Sequence, residues 1–270
     1  MQRRDFLAAS VSAAVGLTLG RSALAAEAPQ GRQLIEIRTY NFASPQKQAA
    51  YEKFFAEAGI AALNRAAVEP VGAFKLLAKD NPALKLAADS TDLYVILPHK
   101  SAESFITLED RLVADEAYQK AGTGILDTAQ SDPAFVRYES SLLLAFEMFP
   151  QLQVPNQSPN RLIQLRTYES HNRERAQKKL EMMQKGGELT IFKRCGMPGV
   201  FFGEALIGSK LPNLTYMLSF EDDAAQKQGW ANFRTDPDWK KLSKAEEYKE
   251  TVIVPNIMNL LLRPAAGSQI

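Results

Sequence analysis

One heptapeptide occurs twice in this chain. Leu34-Ile35-Glu36-Ile37-Arg38-Thr39-Tyr40 returns 128 positions later as Leu162-Ile163-Gln164-Leu165-Arg166-Thr167-Tyr168, with five of the seven residues identical. Further parallels follow in the same order. Pro70 and Pro198 keep the offset, each ahead of an apolar strand-like run, Gly72 to Leu77 and Val200 to Ile207. A second run, Leu93 to Leu97, pairs with Leu214 to Phe220 in an alignment that sets Tyr94 against Tyr216. Asp115-Glu116-Ala117-Tyr118 resembles Asp236-Pro237-Asp238-Trp239, and both halves end in runs of leucine, Leu142 to Leu144 and Leu260 to Leu262. An ordered set of matches is the mark of a duplicated unit, and two copies fall short of a solenoid.

Each copy reads as strand–helix–strand–strand–helix–strand. Ser44 followed by Pro45 predicts a helix start, because a serine side chain can accept an otherwise unused helix N–H and proline is pre-set for the first helical position. Tyr51, Phe54, Phe55, Ala58 and Ala62 follow at helical spacing. In the second copy Asn172 is the predicted cap, with Ala176, Leu180, Met183, Gly187 and Ile191 as the stripe, and Asp236-Pro237 predicts a further short helix through Trp239 and Leu242. Val154 to Pro159 is a proline-bounded linker. The expected units are therefore residues 32–148 and 161–264, joined by 149–160. This element order is that of the ferredoxin-like βαββαβ split unit. Its antiparallel sheet has helices on one face only and needs something against the other. Two tandem copies meet that need within one chain, so the predicted fold is α+β, two ferredoxin-like repeats closing into an intramolecular barrel with helices outside.

Residues 1–25 stand apart from the fold. Arg3-Arg4-Asp5-Phe6-Leu7, a moderately apolar run to Leu19 and the small-x-small pattern Ala23-Leu24-Ala25 resemble a twin-arginine export signal. The run is too short for a membrane span. The expectation is export by the twin-arginine machinery to the periplasm or an equivalent compartment, with no membrane span after processing. Removing this segment takes away three arginines and one aspartate, so the formal charge of +1 for the whole chain becomes 29 basic against 30 acidic residues. A balance so near neutral implies no polyanion-binding surface, and no nucleic-acid motif appears. One cysteine and two histidines exclude an internal disulfide, a zinc ribbon or an iron–sulfur framework, and make a protein-held metal site unexpected. Dinucleotide, P-loop, nucleophile-elbow and zincin signatures are absent, so no cofactor is expected.

The Arg-Thr-Tyr strand, the stretch Trp230…Asp236-Pro237-Asp238-Trp239 and the split-unit order together resemble the NIPSNAP family, of dimeric α/β-barrel architecture. The resemblance spans residues about 32–264 as two NIPSNAP-like repeats. The first copy departs from the pattern, with Glu109 and Tyr118 near the places of the two tryptophans. The family is largely without a defined activity. Barrels of the same architecture include cofactor-free monooxygenases, EthD-like proteins and haem-handling proteins, so the resemblance implies a fold more than a reaction.

Alternation splits the repeated strand into two faces, Ile35, Ile37 and Thr39 against Glu36, Arg38 and Tyr40. The second copy gives Ile163, Leu165 and Thr167 against Gln164, Arg166 and Tyr168. The apolar face is expected to meet the helices and the polar face to line the barrel. A buried guanidinium needs a counter-charge. Glu36 can supply one for Arg38, while in the second copy that position is Gln164. Arg38, Tyr40, Gln164, Arg166 and Tyr168 are therefore the candidate ligand-binding residues, for an acidic or carbonyl-bearing small molecule. The competing reading is that both arginines tie the structure together through carboxylates elsewhere.

His171, just past the second strand, is the one candidate general base, set against a solvated loop residue beside a helix cap. His99 is expected at the surface. Cys195, in Lys193-Arg194-Cys195-Gly196, is read as a buried or incidental thiol rather than a nucleophile. Trp230, Phe233 and Trp239 read as core packing. Three functions remain in play: an exported protein binding a small molecule between its repeats, a cofactor-independent monooxygenase or isomerase, and an interaction module with a solid core. A tandem repeat supplies its own pairing, which suits a monomer, although sheet edges can also pair into a homodimer.

Overall fold

The structure, a computed structural model, describes residues 31–270; the export-signal segment 1–25 lies outside the described residues. The first repeat opens with β1 (Leu34–Asn41) and α1 (Pro45–Phe54). Ser44 caps α1 as predicted, its Oγ accepting the Lys47 N–H at 3.2 Å. A π-helical turn, Phe55–Gly59, carries the same axis into α2 (Ile60–Arg65). Then come β2 (Gly72–Leu76), β3 (Asp92–His99), the short helices α3 (Ala102–Ile106), α4 (Leu108–Ala114) and α5 (Glu116–Ala121), and β4 (Arg137–Ala145).

The second repeat follows the same order with β5 (Leu162–Glu169), α6 (Arg173–Met183), α7 (Glu188–Arg194), β6 (Gly199–Ile207) and β7 (Asn213–Phe220). After these come α8 (Asp223–Thr235), α9 (Pro237–Leu242), α10 (Glu250–Ile253) and β8 (Asn256–Pro264). Asn172 caps α6 and Asp236 caps α9, the latter accepting both the Asp238 and Trp239 N–H. The stripe predicted to run from Ala176 to Ile191 is broken in two. α6 ends at Met183, and Gly187, at φ +91° in the left-handed region that ordinary side chains avoid, stands at the N-cap of α7 and starts a separate helix.

All eight strands join in one closed antiparallel barrel in the order β1-β3-β2-β8-β5-β7-β6-β4. Within each repeat the order is that of the ferredoxin-like sheet. The repeats meet along two seams, β2 with β8 and β4 with β6, so neither sheet keeps a free edge. At the second seam the strands come close enough that a Cβ on Gly203 would lie 2.9 Å from Leu143 Cβ.

The register corrects the alignment of the two copies by one residue. Thr39 faces Tyr94 across β1–β3, whereas its counterpart Thr167 faces Thr215. Tyr94 therefore corresponds to Thr215, and it is Val95 that corresponds to Tyr216. A one-residue slip in a strand reverses the face a side chain takes, so the two tyrosines do different work.

The assignment of faces is also the reverse of the expectation. Ile35, Ile96 and Leu143 from the first repeat pack with Ile163, Phe201, Met217 and Leu262 from the second in a single inner core. The apolar face of the repeated strand thus lines the barrel. Glu36, Arg38 and Tyr40 lie beneath the helices of the first repeat, and Gln164, Arg166 and Tyr168 beneath those of the second. The physical reason is space and partners. Where two sheets meet, inward side chains find only other strands, so apolar groups fill the space at no desolvation cost. Under the helices, long polar side chains reach carboxylates, hydroxyls and aromatic rings from a second layer.

Candidate functional site

The candidate binding residues of the first repeat form a buried polar cluster between sheet and helices. Arg38, only 5% exposed, donates from Nε to Glu36 Oε1 at 2.5 Å, from Nη2 to Glu36 Oε2 at 3.1 Å and from Nη1 to Glu109 Oε1 at 2.7 Å. Glu36 also accepts the Ser140 hydroxyl at 2.7 Å. Burial alone would push its carboxyl up, but the bonds from His99, Arg38 and Ser140 outweigh it and hold the group at about 2. A carboxylate so held can only accept, which places a proton on His99 Nε2, 3.0 Å from Glu36 Oε2, while Nδ1 shares a hydrogen bond of 3.2 Å with Ser104 Oγ. His99 is therefore fully buried, not at the surface as expected, because its strand end is roofed by α3. Tyr40 packs on the rings of Tyr51, Phe135 and Tyr138.

In the second repeat the same positions are filled by different chemistry. The Arg166 guanidinium lies 4.5 Å from the Trp230 ring centroid and 5.2 Å from that of Tyr168. Trp230 Nε1 donates to Gln164 Oε1 at 2.7 Å, while the Gln164 amide donates to Asn259 at 2.6 Å. Trp230 thus does for Arg166 what Glu109 does for Arg38. Each is the helix group laid against the strand arginine, one by cation–π contact and the other by charge. Tyr168 is buried, bonded to the Tyr216 hydroxyl at 2.8 Å, with burial raising its phenol well above the ordinary value. None of Arg38, Tyr40, Gln164, Arg166 and Tyr168 faces the barrel interior. Their arrangement is that of ties between sheet and helices, for Arg38 through carboxylates as the competing reading had it, and for Arg166 against the Trp230 and Tyr168 rings.

His171 is exposed on the bend before α6 and is not part of the lining of the barrel cavity described below. Cys195 is 4% exposed, and burial with Asp236 beside it raises the thiol. Its neighbour Arg194 is engaged with Asp236 and Asp238, so the cation that could favour a thiolate is already neutralised. Trp230, Phe233 and Trp239 pack together over Phe192 as the core of the second helix layer. Among the described residues no group of three or more His, Cys, Asp or Glu is placed to hold a metal ion, and no helix is long and apolar enough to cross a membrane.

The barrel interior is half filled. The inner core packs one end, where Leu152, Val154 and Ile270 also press against it. The other end, where β1 and β5 finish, holds a cavity of about 300 Å³. Ile37, Leu143, Leu165 and Leu260 form its apolar floor. Thr39, Tyr94, Ser141, Thr167 and Thr215 stand above them, and Asn41, Asp92, Glu139, Glu169, Lys210 and Asn213 ring the mouth. Asn41 Nδ2 donates to Asp92 Oδ1 at 2.9 Å, and Thr167 and Thr215 share a hydrogen bond of 2.8 Å across β5–β7. Lys210 Nζ lies 3.3 Å from Glu169 Oε1. Burial pushes the Tyr94 phenol up to about 12, with Asp92 adding to it, so the group keeps its proton at neutral pH.

Sequence reasoning missed this site because it placed the wrong face inside. One signal was there: Thr39 and Thr167, a polar residue kept at the same place of an otherwise apolar face in both copies.

Solved structures similar to this fold include two candidate monooxygenases. One, from Fusobacterium nucleatum subsp. nucleatum, is 11% identical, with 87% of this chain and 94% of that chain covered and a TM-score of 0.58. The other, from Lactobacillus acidophilus, is 12% identical, with 88% and 98% covered and a TM-score of 0.52. At such identities the likeness is one of fold. A NIPSNAP family protein of unknown function from Agrobacterium tumefaciens is 17% identical over 43% of this chain and 98% of its own, with a TM-score of 0.37. No curated protein matches the sequence. The NIPSNAP family model matches residues 163–269, the stretch from β5 past β8, so the likeness to that family lies in the second repeat.

Proposed function

We propose that this is an exported, NIPSNAP-like barrel protein that binds a small molecule in the cavity at the open end of the barrel. The observation that carries the reading is the cavity itself. Its volume of about 300 Å³ is at the small end of the range for ligand sites, and it joins an apolar floor to convergent polar groups, as such sites do. A solid-core interaction module would have no use for that space. The monooxygenase or isomerase alternative gains nothing from the cavity, because its base, His171, is exposed and outside the lining. The proposed site also differs from the first expectation in its residues. Arg38 and Arg166 lie on the other side of the sheet, so the reason for expecting an acidic or carbonyl-bearing ligand falls away. Export rests on the twin-arginine pattern of residues 1–25.

Native mass spectrometry of the protein recovered from the periplasm of its own cells tests both parts. The chain is expected to begin at residue 26 and to carry a non-covalent small molecule. Ala205 on β6 also lines the cavity, and an Ala205→Phe variant, which puts a ring into it, is expected to be recovered without that molecule, whereas Arg166→Ala retains it. Retention by the Ala205→Phe variant equal to that of the unaltered chain overturns the site. A full-length chain confined to the cytoplasm overturns export.

A further inference from the structure

The two repeats build unequal walls around the cavity. The strand pairings fix which positions correspond: Thr39 faces Glu139 where Thr167 faces Met258, and Ile37 faces Ser141 where Leu165 faces Leu260. By the same rule Asp92, opposite Asn41, corresponds to Asn213, opposite Glu169. Carboxylates therefore stand on both strands flanking β1, with Tyr94 also lining the cavity from β3. The wall from β8 is a thioether and a leucine.

The charges on this lining do not balance. There are three carboxylates, Asp92, Glu139 and Glu169, and one cation, Lys210. Lys210 is already set against Glu169 at 3.3 Å. Among the described residues the Asp92 carboxylate accepts only an amide hydrogen bond from Asn41, and Glu139 has no hydrogen bond or ion pair. Two negative charges thus look onto a half-open space floored with apolar side chains, Asp92 half-buried on its wall and Glu139 on its exposed rim. An anion entering here meets repulsion. A neutral molecule leaves the carboxylates without a charged partner. A cation with N–H donors satisfies them through charge-assisted hydrogen bonds while its apolar part covers Leu165 and Leu260.

We infer that the ligand is a small primary or secondary amine, bound as its ammonium ion, with a compact apolar body. The head lies between Asp92 and Glu139, and the body points down the barrel toward Leu165, Met258 and Leu260. This rests on the reading of the cavity as a binding site. The cavity, about 300 Å³, is at the small end of the range for ligand sites, which suits a compact molecule.

Three probes of one shape separate the possibilities: 2-phenylethylamine, 2-phenylethanol and 3-phenylpropionate, titrated calorimetrically into the full mature chain. The amine is expected to bind about tenfold or more tightly than the alcohol, the usual gain of a hydrogen bond to a charged partner, with the carboxylate weakest. Asp92→Asn and Glu139→Gln are each expected to reduce amine binding several-fold and to leave the alcohol unchanged. Ala205→Phe weakens all three. Carboxylate binding as tight as that of the amine, abolished by Ala205→Phe, overturns the amine class and keeps the site. Amine binding indifferent to both Asp92→Asn and Glu139→Gln also overturns the class. So does no measurable amine binding by a chain that still retains a molecule in native mass spectrometry. Binding of all three probes unaltered by Ala205→Phe overturns the cavity as the site, and the ligand class with it.

Discussion

Glu36 is 1% exposed and ionised, a combination that is stable only while its three donors stay in place. Its carboxyl is held at about 2, below the ordinary 4.5, so folding favours the charged form. The resulting stability is fully present above about pH 4.5 and is lost as the pH falls toward 2, when the folded protein too must take up the proton. The size of the effect is on the order of 3 kcal/mol. Replacing Glu36 by Gln leaves Arg38 buried with Glu109 as its counter-charge, and is expected to cost about 3 kcal/mol at neutral pH, in line with breaking a buried ion pair. Denaturant titrations at a series of pH values check both statements. The unaltered protein should lose stability steeply between pH 4.5 and 2, and the Glu36→Gln variant more shallowly. Equal slopes would mean that Glu36 does not carry the acid sensitivity.

The helix starts depend on neighbours within a few residues, and these were legible. Ser44, Asn172 and Asp236 cap the helices their side chains pointed to, because a cap is a contact between a residue and backbone two or three positions on. Ser44→Ala is expected to cost about 1 kcal/mol. Asp236→Ala should cost more than Ser44→Ala, since Asp236 accepts two backbone N–H groups and also binds Arg194. Thermal melts of the two variants test the ranking, and equal shifts would refute it. What was not legible is anything that needs a second layer. Alternation sorts Ile37 from Arg38 but does not say which of them faces the other sheet. The partners that settle it, Glu109 for Arg38 and Trp230 for Arg166, lie 71 and 64 positions away on helices. The cavity was hidden for the same reason. Asp92, Glu139 and Lys210 lie far apart in the chain and converge only because eight strands close on themselves.

At the scale of the whole molecule, closure decides how the chain unfolds. A ferredoxin-like repeat on its own would expose the apolar face of its sheet and both edge strands. Here each repeat covers the other's face, and the inner core takes Ile35 and Leu143 from one and Ile163 and Met217 from the other. Separating the halves would open the β2–β8 and β4–β6 seams together and expose that core, so a state with one repeat folded and the other not has little to hold it. The chain should therefore unfold as one cooperative unit, despite being built from two units of a size that can fold alone. The sequence provides the means to test this. Both tryptophans, Trp230 and Trp239, belong to the second repeat, so their fluorescence reports that half alone, whereas far-ultraviolet circular dichroism reports both. The two denaturation curves are expected to coincide, and Glu36→Gln in the first repeat should move the tryptophan curve as far as the dichroism curve. A tryptophan transition that stays in place while the dichroism shifts would show that the two repeats melt separately. The barrel would then be two domains in contact, and its closed interior would contribute little to holding either one folded.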